Sequence, residues 1–191
     1  WSKVPSSTAA GGEMLSTADA GWSSTSTPVA AAEHYFEATF DAAAGTTYQL
    51  WLRMRGAGDS KWNESVWVQF DAAVDGAGQP LWPIGSTSAL LVNLEPCGGC
   101  GISGWGWQDN AWWLGQSARV RFASTGRQTM RVQVREDGFS IDQILLSSTT
   151  WLTSAPGSLR DDATIVPKPS PATSITMVRE PSLQHVTSAS A

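Results

Sequence analysis

The sequence predicts an all-β protein, an antiparallel β-sandwich that carries an extended C-terminal tail. Three observations lead there. Between Glu33 and Ser147, apolar and polar residues alternate with a period of two in a series of short runs, the mark of strands with one buried face. Turns rich in glycine and aspartate separate those runs, as in sandwich folds. No segment keeps a convincing helical period over three turns.

Residues 1–32 are rich in Ser, Thr, Ala and Gly and read as loop with one or two short strands. In Glu33–Phe40, His34, Phe36, Ala38 and Phe40 share one face, and Asp41 to Gly45 turns the chain. In Thr47–Arg55, Tyr48, Leu50, Leu52 and Met54 face one way, with Gln49, Trp51, Arg53 and Arg55 opposite. Ser65–Asp71 puts Val66, Val68 and Phe70 inward, and Asp75-Gly76-Ala77-Gly78 is a turn. Leu90–Leu94 is a short strand. Arg119–Ala123 buries Val120 and Phe122, Thr129–Arg135 buries Met130, Val132 and Val134, and Ser140–Ser147 closes the set. Glu136-Asp137-Gly138 is a hairpin signal between the last two.

One stretch interrupts the alternation. Glu95 to Trp113 holds both cysteines and four of the eleven tryptophans, and is too glycine-rich for a helix and too irregular for a strand. Cys97-Gly98-Gly99-Cys100 oxidises to a small-loop disulfide in an exported protein; metal binding and redox use are the alternatives. The tryptophans form either an exposed platform or a cap on the core.

Composition narrows the partners. The 191 residues suit one domain with an appendage, and the net charge of −5 argues against nucleic acid. No apolar run reaches membrane-spanning length. The scarcity of lysine beside abundant Ser, Thr, Ala, Gly and Trp suits a secreted protein, extracellular or at the cell surface. Six arginines (Arg53, Arg55, Arg119, Arg121, Arg131 and Arg135) fall at outward positions. They form a solvated face or one that packs on something polar.

After Ser147 the pattern changes. Residues 1–165 read as the sandwich domain, 166–172 as a stiff proline-rich tether, and 173–191 as a tail strand. Ile175, Met177, Leu183 and Val186 are the apolar points of that strand.

The run Arg135-Glu136-Asp137-Gly138-Phe139-Ser140-Ile141-Asp142-Gln143-Ile144-Leu145-Leu146-Ser147 resembles the last hairpin of carbohydrate-binding modules of the family 6 and family 35 type. Tyr35-Phe36-Glu37 with Ala44 to Arg53 is similar to their central strand pair. The resemblance spans roughly residues 33–147 and implies the galactose-binding-like jelly-roll fold, which hosts many functions. It also implies a structural calcium (Ca2+) held by an Asp on the last strand and a Glu on an early one. Asp142 matches the Asp; Glu13 or Glu33 supplies the Glu, with the family's first strand placed before Trp1. In such modules sugars stack on exposed aromatic rings of the end loops. Trp105, Trp107, Trp112 and Trp113 are the candidate rings, and Gln108, Asp109 and Asn110 the candidate partners of hydroxyls.

The expected function is therefore a non-catalytic, extracellular β-sandwich that binds a polysaccharide or other glycan. No nucleophile–base arrangement or phosphate loop argues for an enzyme. A sandwich lacking its first strand leaves a groove that a strand from elsewhere completes. Donation of the tail strand to a neighbour then gives a homopolymeric fibre. The alternative is a monomeric sugar-binding module detached from a larger secreted enzyme, with the tail as linker. Asn63-Glu64-Ser65 has the form of a glycosylation sequon at Asn63.

Overall fold

The alternating runs pair into two antiparallel sheets packed face to face. The computed structural model describes residues 1–168. Its strands are β1 (Ser2–Pro5), β2 (Glu13–Ser16), β3 (Tyr35–Ala42), β4 (Tyr48–Gly56), β5 (Ser65–Phe70), β6 (Ala73–Val74), β7 (Leu90–Asn93), β8 (Gly106–Gln108), β9 (Arg119–Phe122), β10 (Gly126–Val134) and β11 (Phe139–Ser147). One sheet has seven strands in the order β1-β2-β11-β4-β9-β6, with β8 also on β4; the other has four, β3-β10-β5-β7. Leu50, Leu52 and Met54 of β4 and Val66, Val68 and Phe70 of β5 meet in the core with Val92, Met130, Val132 and Phe139. Each such side chain contributes about 1.5–3 kcal/mol through burial. The inward positions expected from the period of two on β4 and β5 are these.

Three features depart from the sequence reading. First, the edge of β11 is occupied: β2 pairs with it at Ser140 and Ile141, and β1 pairs with β2 along its whole length. Trp1 then packs edge-on against Phe36, with ring centroids 4.9 Å apart, and against Phe139. The groove expected from a first strand lying before Trp1 is thus filled by the chain's own first residues. Ile175, Met177, Leu183 and Val186 lie outside the described residues.

Second, Gly106–Gln108 is a strand. It pairs with β4 from Leu52 to Met54, although Gly104 and Gly106 hide its alternation. Third, the outward face of the seven-stranded sheet is covered over its central strands. After β11 the chain returns across it. Trp51 Nε1 donates to the Trp151 carbonyl at 2.8 Å, and Trp107 Nε1 to that of Thr164 at 3.3 Å. Gln143 exchanges two bonds with the backbone of Val166. The body therefore extends at least to Val166.

Arg53 anchors this return. Its Nε donates to Asp162 Oδ2 at 2.9 Å, its Nη2 to the Asp162 carbonyl at 3.0 Å, and its Nη1 to Asp142 Oδ2. The side chain is 1% exposed. The register of β11 against β4 shifts between Ile141 and Gln143. A bulge of this kind re-aims a side chain, and Asp142 accordingly joins Gln143 on the covered outer face. The expected arginine face is thus part buried, part open: Arg53 is enclosed while Arg119 stays exposed.

Candidate functional site

Strand direction brings four connections to one end of the sandwich. The pairings Ser16 with Ser140, Gly56 with Phe139, Asn93 with Ser65 and Val134 with Val66 all lie there. The loops after β2, β4, β7 and β10 therefore share that end.

A cleft of about 570 Å³ opens among three of these loops, lined by Asp19, Trp22, Ser60, Trp62, Asn63 and Asp137 among others. That volume falls within the range of small-molecule sites. Trp22 is 40% exposed and Trp62 is 68% exposed. One face of Trp22 stacks on His34 at 4.2 Å and 29°. The Lys61 ammonium lies 4.7 Å from the Trp62 ring centre, close enough for cation–π attraction.

The turn between β10 and β11 shapes the floor. It is not the expected hairpin, because β10 pairs with β3 and β5 in the four-stranded sheet and β11 with β2 and β4 in the other, so the chain crosses between the sheets there. Asp137 is buried, and its Oδ2 accepts the amides of Ala20 at 2.6 Å and Trp22 at 3.1 Å. That carboxylate holds the loop on which Trp22 stands. Gly138 has φ +67°, and a Cβ there would lie 2.6 Å from Asn63 Nδ2. Only glycine meets both demands cheaply. Asn63 is itself buried, and its Nδ2 donates to the Ala57 carbonyl at 3.2 Å. The nitrogen that glycosylation needs is enclosed and engaged in the folded protein.

The stretch from Glu95 to Trp113 divides. Cys97 and Cys100 are joined in a disulfide, with their Cα atoms 5.3 Å apart. Glu95 Oε1 accepts the Gly101 amide at 2.8 Å and pins the small loop. Trp112 and Trp113 are exposed and meet edge-on, 5.4 Å apart at 76°. These two stand where a ligand reaches them.

The other candidates are buried or half-buried. Trp105 is buried beneath the guanidinium groups of Arg53 and Arg55, and its Nε1 donates to Thr8 Oγ1 at 3.0 Å. Trp107 is 0% exposed. Gln108 is buried and donates to the Leu94 carbonyl; Asn110 donates to that of Gln116. Asp109 accepts Gln49 Nε2 at 2.9 Å, and burial pushes its carboxyl above the usual range. Trp105, Trp107 and Gln108 serve internal structure, because β8 lies in the seven-stranded sheet and the returning chain covers it, whereas Asp109 and Asn110 are half-buried just beyond that strand.

The expected calcium ligands are not brought together as a site. Glu13 is exposed and pairs with Lys3 at 3.7 Å. Asp142 Oδ2 is taken by Arg53 and by the Ala10 amide at 2.7 Å, which leaves Oδ1 buried and without a partner. Burial pushes the Asp142 carboxyl upward, while the Ala10 amide and Arg53 pull it back. Calcium takes six to eight oxygens. Here one carboxylate oxygen remains, a guanidinium holds the other, and Lys3 lines the adjoining cavity. This donor set does not fit the ion. Among the described residues, no three acidic, His or Cys side chains converge on a metal-sized position.

A second acidic group is buried beside the cleft. Glu136 Oε2 accepts Ser65 Oγ at 2.6 Å and the Glu64 amide at 3.2 Å, with Arg135 on its other oxygen. Burial, then the charges of Glu136 and Glu95, push Glu64 up to about 7. The cluster ties the start of β5 to the β10–β11 turn rather than facing an open pocket.

Sequence reasoning passed over Trp22 and Trp62. The available signal was a lone tryptophan among small or polar residues, Gly21-Trp22-Ser23 and Lys61-Trp62-Asn63. Neither has an alternating partner that would draw it into the core.

No protein-family model matches the chain, and no curated protein matches it. No helix among the described residues is long and apolar enough to cross a membrane.

Proposed function

We propose that the protein is a non-catalytic, extracellular glycan-binding β-sandwich whose binding site is the end cleft. The supporting observation is the pair of exposed tryptophans, Trp22 and Trp62, set across a cleft with Asp19, Ser60 and Asn63 on its walls. Aromatic faces suit the C–H face of a pyranose, and a few fixed polar groups suit its hydroxyls. Trp22 is held from behind by His34 and from below by Asp137, so its ordering cost falls before binding rather than during it. The disulfide at Cys97 and Cys100 supports an exported protein, since such bonds persist in oxidising compartments.

The test is a glycan array followed by titration calorimetry. Trp62→Ala and Trp22→Ala each weaken binding by at least about 10-fold, a step of 1.4 kcal/mol. Both variants keep the wild-type circular dichroism spectrum. An array without hits, or a Trp22→Ala/Trp62→Ala double variant that binds as the wild type does, overturns the proposal.

A further inference from the structure

Trp22, Trp62, Trp112 and Trp113 are the exposed tryptophans of the described residues, and the loops that carry the last three form one contiguous surface. Asp59 Oδ1, in the loop of Trp62, accepts the Gly104 amide at 3.0 Å. Ile102 packs so closely on Gly56 that a Cβ there would lie 2.8 Å from its side chain. These contacts join the loop of Trp62 to the disulfide loop. At the other side of that loop, a Cβ on Gly98 would lie 3.0 Å from the Trp112 ring. The order along the surface is therefore the cleft, the Cys97–Cys100 loop, then the Trp112 and Trp113 pair.

At the middle of this path the Arg160 guanidinium donates to the Cys100 carbonyl, beside two residues that have no side chain. Gly98 and Gly99 are exposed and offer peptide groups without side-chain bulk, which lets a ligand approach the backbone closely. The disulfide holds those glycines in place. The two outer rings stand at 76° to each other, so they do not form one flat shelf.

We infer that this end of the molecule takes an extended, single glycan chain, with the cleft and the Trp112–Trp113 pair contacting separate units and the glycine floor between them. The inference rests on the glycan reading of the cleft and adds the form of the ligand: an oligomer, not a monosaccharide and not a flat crystalline face. Two linked contacts raise affinity when one ligand spans both and have no effect when it spans one.

The experiment is calorimetry of the full chain with two-unit and six-unit oligosaccharides of β-1,4-glucan, β-1,4-mannan, β-1,4-xylan and chitin. For whichever of these binds, the six-unit form binds at least about 10-fold tighter than the two-unit form. Trp112→Ala/Trp113→Ala brings the six-unit affinity down to the two-unit level and leaves two-unit binding unchanged, whereas Trp62→Ala weakens both. Trp113→Ala alone, which keeps the contact of Trp112 with Gly98, shows the same length-selective loss if the double variant does not fold. Equal affinity for both lengths, or wild-type binding of six units by Trp113→Ala, overturns the extended path and leaves the cleft standing. No binding of any of these oligosaccharides overturns the path and counts against the cleft as well.

Discussion

Replacing Arg53 with methionine removes the guanidinium that joins the sheet to the returning chain. Asp142 and Asp162 are left as buried carboxylates, 0% and 1% exposed, without their cation. Breaking a buried pair by removing one partner costs about 3–5 kcal/mol. For a chain of this size, about 2–4 °C of melting temperature goes with each kcal/mol, so the midpoint falls by about 6–20 °C. The loss grows with pH. Burial already pushes the Asp142 carboxyl upward, and without Arg53 it rises further. A carboxyl raised in the folded state stabilises it at low pH and ceases to do so as pH climbs through the folded value. The difference between variant and wild type is therefore wider near neutrality than in acid. Arg53→Lys keeps the charge but loses the fork that reaches both carboxylates, and falls between the two. Thermal melts followed by circular dichroism at several pH values measure all of this. A midpoint for Arg53→Met within about 1 °C of the wild type at neutral pH would refute the claim that this ion pair locks the fold.

Glu64, raised from 4.5 to about 7 in the folded state, stabilises the fold fully below the lower value and loses that contribution as pH passes the upper one. The urea midpoint accordingly falls between about pH 5 and pH 8, and Glu64→Gln removes much of that fall. Gly138→Ala places a methyl against Asn63 in a left-handed backbone and lowers stability by about 2 kcal/mol in urea unfolding. On the proposed function it also weakens glycan binding, because Asn63 and Asp137 line the cleft. A chelator leaves the melting midpoint where it was, since Arg53 and the Ala10 amide already hold Asp142 Oδ2; a fall of several degrees would show that an ion is bound.

Legibility differed from element to element. β4 and β5 were plain, because Leu50, Leu52, Met54, Val66, Val68 and Phe70 alternate with polar neighbours and one face must leave water. β8 was hidden, because three residues beginning at a glycine carry too few alternations to stand out. The burial of Trp51, Arg53 and Trp107 was hidden for another reason. Alternation tells which side of a sheet a residue faces, but not whether a distant segment later covers that side. The candidate site shows the same division. The Glu95–Trp113 stretch was visible as an aromatic cluster, yet its two tryptophan pairs fell on opposite sides of the buried boundary.

Local chemistry alone determined the class of fold, the turn at Glu136-Asp137-Gly138, and the closeness of Cys97 to Cys100, since each rests on neighbours within a few residues. That this turn carries the chain from one sheet to the other, and does not close a hairpin, was decided by the tertiary structure. Tertiary structure decided the rest. Trp22 and Trp62 are 40 residues apart in sequence, and the strand order brings them across one cleft. Arg53 meets Asp142 and Asp162 only because β11 pairs with β4, bulges at Asp142, and sends the chain back over the sheet. These contacts are long-range pairings whose stability depends on the whole sandwich being formed, and short-range pattern carries no trace of them.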